Sequence, residues 1–410
     1  MSAQPEALPP AGGVDSEAEA SPFSLRTFLR RFARGDLAEV RVILSIALIW
    51  LIFQSQESRF LTAVNLTNLV LQITAVGLIS VGIVYVLLLG EIDLSVGAVS
   101  GVCAAIMAVQ NVKHGWSPYV AIAVAIAAGA AIGCAQGFLF TRFGIPSFVV
   151  TLAGLLIWQG ALLKVLGETG TVNISDPKIT GLTGTFYSDS VGWIIAVVAI
   201  AAFVAVNVNA RRKRASAGLP APPLASLGIK LVVVAAAIIA AVAVLNSDRG
   251  VPLAALILVA FVIVLQYVAT RTRFGRHVYA VGGNAEAARR AGINVNRIRI
   301  AVFMIAGTMA AIGGIMGASR LLAVNQSTGG SDLLLLAIAG PVIAGTSLFG
   351  GRGTVWSALL GAMVIGSISN GMDLLALESS VKFMVTGGVL LAAVIVDALA
   401  RQQRQAAGRV

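Results

Sequence analysis

TNLVLQITAVGLISVGIVYVLLL, residues 67–89, runs for 23 positions without a charged side chain. A helix rises 1.5 Å per residue, so about 20 such residues cross the roughly 30 Å hydrocarbon core of a bilayer. The pattern recurs on both sides of this stretch. Further spans are expected at 40–55, 95–110, 119–140, 147–166, 190–208, 226–245, 251–269, 300–322, 331–347, 354–372 and 381–399. The reading is an all-α, polytopic helical membrane protein of twelve spans. The segments at 95–110 and 331–347 are short, and broken or re-entrant helices are expected there.

Composition points the same way. Of 410 residues, 58% are hydrophobic and 11% charged, where soluble globular domains carry about 25% charged residues. Mean hydropathy is +0.91. Such a chain cannot cover a water-facing surface of its size, which excludes a soluble enzyme, a disordered chain and a disulfide-stapled module. A net charge of +11 would suggest nucleic acid in a soluble protein. Here it reports basic cytoplasmic loops, and no nucleic acid partner is expected. Only seven of the 29 Lys and Arg residues (Arg59, Lys113, Lys164, Lys178, Arg249, Arg320 and Lys382) fall on outward segments when both termini lie inside. Reversing the chain would invert that ratio.

The organisation is a polar, then basic extension over 1–38, a transmembrane domain over 39–400 and a tail over 401–410. The extension has no apolar core of the kind a cleaved signal carries, so the first span is expected to stay as an anchor. Within the domain, 209–225 is a basic, Pro-rich inner linker, 167–189 the largest outer loop and 271–299 the longest inner loop.

Catalytic and metal motifs are missing. None of the six lysines follows a glycine, so there is no Walker A loop and no ATP site of that type. No G-x-S-x-G elbow or H-E-x-x-H pair occurs. Two histidines and two isolated cysteines, Cys103 and Cys134, give no metal spacing, and the cysteines read as small apolar side chains. His277 reads as an exposed loop residue.

Three stretches carry more information. In the inner loop, FGRHVYAVGGNAEAARRAG (274–292), Asn284 suits a helix N-cap, Glu286 the first turn and Gly292 the C′ position. Ala287, Ala288 and Arg289 lie on the short helix between. Such a helix docks on another protein or rests on lipid headgroups, and Arg276 and Gly283 lead into it. GEIDLS (90–95) places Glu91, Asp93 and Ser95 between two apolar runs. Intramembrane carboxylates are functional candidates, while Asp93 and Ser95 also suit helix caps. AGTSLFGGRGT (344–354) reads as a tight inner turn with Gly350, Gly351, Arg352 and Gly353 at its tip. Toward the outer side, Arg320, Asn325, Asn370 and Asp373 (with Asp332) are candidates for a polar path or for helix ends. Gly129, Gly133 and Gly137, and again Gly313 and Gly317, have the spacing of close helix packing. Sequons occur at Asn65, Asn173 and Asn325. Residues 82–101 echo 338–361 in outline, one reading of which is an inverted repeat.

GEIDLSVGA (90–98), FGRHVYAVGGNAEAARRAGINVNRI (274–298) and AGTSLFGGRGTVWSALLGA (344–362), in this order, resemble the membrane permeases of carbohydrate ATP-binding-cassette importers of the ribose and xylose branch. The likeness covers roughly 60–400. Within that branch, the extra pair of spans bracketing 209–225 points to the xylose-type members. The resemblance implies a bacterial inner-membrane transporter subunit, not an enzyme. ATP is bound by a cytoplasmic ATPase partner, sugar is delivered by a periplasmic binding protein, and two permease copies form the path. It also implies that the 284–292 helix is the coupling helix seated in the ATPase. The long extension over 1–22 and the Ala339–Pro341 stretch depart from the family pattern, and a proline there is expected to kink the tenth span.

Overall fold

A computed structural model describes residues 38–220 and 223–406. The extension up to Asp36 and Leu37, with Arg26, Arg30, Arg31 and Arg34, and the last four residues of the 401–410 tail lie outside the described residues. The helices are α1 (Ala38–Gln56), α2 (Ala63–Leu88), α3 (Val96–Ala108), α4 (Pro118–Phe143), α5 (Ser147–Leu166), α6 (Pro177–Gly184), α7 (Asp189–Ser216), α8 (Leu224–Asn246), α9 (Leu253–Arg271), α10 (Arg273–Gly283), α11 (Ala285–Arg290), α12 (Val295–Leu321), α13 (Ser331–Ile343), α14 (Trp356–Leu374) and α15 (Ser379–Ala406). A π-helical turn, Val109–Lys113, extends α3. Four short strands form two antiparallel ribbons: β1 (Thr171–Asn173) pairs with β4 (Ala323–Asn325), and β2 (Phe186–Tyr187) with β3 (Val251–Pro252). The expected outer loop 167–189 therefore contains β1, α6 and β2.

Among the described residues, eight helices are long and apolar enough to cross a membrane, and Val42–Gln56, Ser331–Ile343 and Ser379–Ala392 are shorter apolar helices. A helix occupies each of the twelve expected segments. Several expected boundaries move, among them α15, which runs to Ala406 into the expected 401–410 tail, and, furthest, α7, which continues to Ser216, so that Arg211, Arg212, Lys213 and Arg214 form its last turns instead of a linker. Arg, Lys and Ala are strong helix formers, and cations suit a helix C-terminus. The helix stops at the first glycine and proline, Gly218 and Pro220.

α12 is the hub, packed against α2, α3 and α4. In lipid no hydrophobic effect draws helices together, so close approach depends on small residues. Gly137 faces Ile300, where an added Cβ would lie 2.9 Å from the Ile300 Cα. Gly133 faces the Phe303 carbonyl, and Gly129 and Gly307 face each other. On the opposite side, a Cβ at Gly313 would meet Ile79 Cγ1 at 2.5 Å. Gly314, outside the expected stripe, meets Ser100, whereas Gly317 is loosely placed, 3.7 Å from the Ala75 Cβ. By contrast, only 11% and 6% of the most apolar windows of α7 and α8 are buried, so this pair faces outward from the core.

Two helix pairs are interrupted. Residues 89–95 separate α2 from α3, and 344–355 separate α13 from α14. Ser80 meets Ala337 and Leu88 meets Gly351. The two interrupted pairs thus run in the same sense and touch at their breaks, which replaces the inverted reading of the echo. Pro341 sits inside α13. It has no N–H to give to the Ala337 carbonyl four residues earlier. Ser80 Oγ, from α2, donates to that carbonyl instead at 3.0 Å. Cys103 is buried and Cys134 half-buried, and both are free thiols.

Candidate functional site

The three informative stretches converge at one end of the molecule. Thr272 caps α10, its side chain accepting from the Gly275 amide at 3.1 Å. α10 ends in Gly282–Gly283, and Gly282 lies so close to Leu88 that an added Cβ would overlap the Leu88 carbonyl and come within 2.8 Å of the Gly351 amide. That amide donates to Leu88 O at 2.9 Å. Gly350 and Gly351 adopt φ of 84° and 73°, a region open chiefly to glycine. A Cβ on Gly350 would meet the Gly282 carbonyl at 2.6 Å and the Gly90 amide at 2.8 Å. Tyr279 Oη donates to Gly353 O at 2.8 Å, and Val355 N to Gln266 Oε1 at 2.8 Å. Burial raises the Tyr279 hydroxyl pKa above its ordinary value, so it stays a donor. Gly90, Gly282, Gly350 and Gly351 thus form a junction of backbone against backbone, with exposed Arg352 beside it.

From this junction α11 projects outward. Asn284 breaks the helix with φ −161° and ψ 102°, and its side chain accepts from Ala287 N at 2.9 Å. At the other end Gly292 N donates to Arg289 O and Ile293 N to Ala288 O, both at 3.0 Å, with Gly292 at φ 84°. These two hydrogen bonds close the last turn as a Schellman motif. Glu286 pairs with Arg289 at 2.7 Å and Arg290 at 3.3 Å, all three exposed. Arg276 and Ala287 are exposed, but Ala288 is 5% exposed and packs into the core. Ala288 therefore faces inward and cannot be part of an outward face. His277 is half-buried on α10, within what was expected to be loop.

The acidic stretch divides. Glu91 pairs with Arg299 of α12 at 2.8 Å, at side-chain exposures of 15% and 27%. The Arg299 guanidinium lies 5.7 Å from the centre of the Phe140 ring. Asp93 is buried and its Oδ1 accepts from Ser95 N at 2.8 Å and Ser95 Oγ at 2.7 Å. Ser95 makes no side-chain cap bond to α3, so the two residues form a closed turn before the helix instead of capping it. Ser95 Oγ also bonds Gln136 Oε1 of α4 at 3.1 Å. Ser147 and Thr151 of α5 accept from the Ile92 and Leu94 amides at 3.3 and 3.1 Å. The unwound segment thus borrows hydrogen bonds from α4 and α5, as backbone without helical partners must in a membrane. Arg299, Gln136, Tyr279 and Gly282 were not singled out in the sequence. Their only signal there was position, Gly282, Tyr279 and Arg299 lying within 271–299.

The four outer candidates do not form one cluster. Asn370 exchanges hydrogen bonds with Asn65 at 2.8 and 3.1 Å, tying α14 to α2. Asn325 Oδ1 accepts from Ser327 N and Oγ and Thr328 Oγ1, closing the turn after β4. Asp373 pairs with Lys382 and is close enough to Arg320 to act on it electrostatically.

Comparison with known proteins places this arrangement. Residues 65–394 match the family described as branched-chain amino acid transport system / permease component. The chain belongs to that family. It is 37% identical to the xylose transport system permease protein of Escherichia coli (strain K12) over 88% of its own length and 92% of the relative. Identity to the xylose transport system permease protein of Haemophilus influenzae is 35%, over 87% and 95%. The ribose import permease protein of Escherichia coli (strain K12) is 30% identical over 90% and 96%. No solved structure matches. The resemblance drawn from the three motifs holds. The protein is a multi-pass membrane permease component, not an enzyme.

Proposed function

We propose that the chain is the membrane subunit of an ATP-driven sugar importer of the bacterial inner membrane, with D-xylose as cargo. Xylose permeases at 37% and 35% identity, against 30% for a ribose permease, support that sugar over ribose. The observation that carries the mechanism is the junction under α11. A push on exposed α11 reaches the breaks of both interrupted helix pairs, through Gly282 against Leu88 and Gly351, and through Arg299 to Glu91. In this reading twelve segments cross, both termini are cytoplasmic, two copies form the path, and the chain itself binds no cofactor. A cytoplasmic ATPase holds ATP and seats α11, and a periplasmic binding protein delivers sugar. Binding and release of nucleotide then alternate which side of the path is open. An ion-coupled carrier using Glu91 or Asp93 is less well supported, since Glu91 is engaged by Arg299 and Asp93 by Ser95.

The test is uptake of labelled xylose, ribose and arabinose into proteoliposomes holding this chain with and without its ATPase and binding protein. Uptake that requires both partners and ATP supports the importer, and the preferred sugar names its cargo. Uptake by the chain alone under a pH gradient would overturn it.

A further inference from the structure

The outer halves of α13, α14 and α15 do not close on one another. Between them lies a cleft of about 240 Å³ whose wall includes Asp332, Ser369, Met372, Lys382, Phe383 and Thr386. Lys382, Phe383 and Thr386 fall on one face of α15, three and four positions apart.

Several hydroxyls elsewhere in the membrane domain are satisfied on their own helices. Thr74, Thr141, Thr270 and Thr308 turn back on their own helices and donate to the carbonyl four residues earlier, at 2.7 to 2.8 Å. Ser369 and Thr386 make no hydrogen bond among the described residues, and Asp332 has neither a hydrogen bond nor an ion pair there. Lys382 is held by Asp373. Asp332 is exposed and Ser369 and Thr386 are half-buried, so all three are open to the cleft, and polar groups inside a membrane mark substrate paths. A carboxylate and two hydroxyls call for a ligand with several hydroxyl groups of its own, each able to donate to Asp332 and to exchange with Ser369 and Thr386. Met372 and Phe383 offer an apolar floor suited to the C–H face of a sugar ring. An anion is disfavoured by Asp332.

We infer that this cleft is the outer station of the sugar path, where a pentose is hydrogen-bonded by Asp332, Ser369 and Thr386 above Met372 and Phe383. The inference rests on the reading of the chain as a sugar permease.

Two measurements test it. In a chain carrying Cys103→Ala and Cys134→Ala, Thr386→Cys should react with a membrane-impermeant maleimide added outside. A cleft filled by lipid would leave that cysteine unlabelled and would overturn the inference. In the reconstituted importer, Thr386→Val and Asp332→Ala should each lower sugar imported per ATP hydrolysed by about fivefold, the effect of one lost hydrogen bond. Thr386→Ser should restore it. If the wild-type complex imports and these variants import equally well, the cleft is not a station, and the importer stands. If the wild-type complex imports no sugar, the parent reading fails and takes the ligand with it, even where the maleimide reports a wet cleft.

Discussion

The two ends of the molecule are built on opposite terms. At the junction under α11, glycine backbones from three distant stretches meet with no side chain between them, and an ion pair adds a further tie. At the other end, α13, α14 and α15 leave a cleft that side chains face. Mechanical transmission needs the first kind of contact, because a displacement is not lost in rotamers. Passage of a solute needs the second, because a close-packed interior leaves no room.

The contrast is sharpest for Gly282. Gly282→Val places branched carbons on the Leu88 carbonyl, and backbone cannot move aside as a side chain can. The expected outcome is loss of transport and about 3 kcal/mol of stability, seen as a fall in uptake per inserted chain and in Tm. Gly388→Val, on α15 with open space around it, should leave Tm unchanged; equal damage at both positions would erase the distinction. Next, Ala287→Arg should abolish co-purification with the ATPase while Tm holds, whereas Ala288→Arg should lower Tm, because only the second side chain is buried. Third, Arg299→Met should cost about 1–3 kcal/mol by leaving Glu91 unpaired, discounted toward the lower end for its partial exposure. The exchange Glu91→Arg with Arg299→Glu should recover part of that in a double-mutant cycle on Tm. Ser80→Ala should cost about 1 kcal/mol through the orphaned Ala337 carbonyl. Smallest is Asp93→Asn, since the amide oxygen still accepts from Ser95 N; near-normal uptake is expected, and complete loss would give the carboxylate an ionised role.

Much of the fold was legible because a bilayer imposes its own length on the sequence. Long apolar runs predict α2, α4, α5, α7, α8, α9 and α12 directly. The caps of α11 were legible too, since Asn284 and Gly292 act on amides and carbonyls within a few positions. Partner choice over long distances was not. Asn65 and Asn370 are 305 positions apart, and nothing local distinguishes an asparagine that bridges two helices from one that lines a path. Arg299 looked like one more inner cation until α12 placed it beside Glu91. The end of α7 was misplaced because hydropathy stops at Asn209 while helix propensity continues through the arginines. Around the cleft of α13, α14 and α15, the useful signal was the absence of a side-chain bond at Ser369 and Thr386, and a sequence carries no record of bonds not made.

The Ala337 carbonyl that Pro341 cannot serve is held by a single neutral hydrogen bond from Ser80, a net bias of about 1 kcal/mol, or roughly fivefold. That contact is therefore weighted, not fixed. In any population of resting chains a minority has the hydroxyl turned away, and the size of that minority is set by one serine.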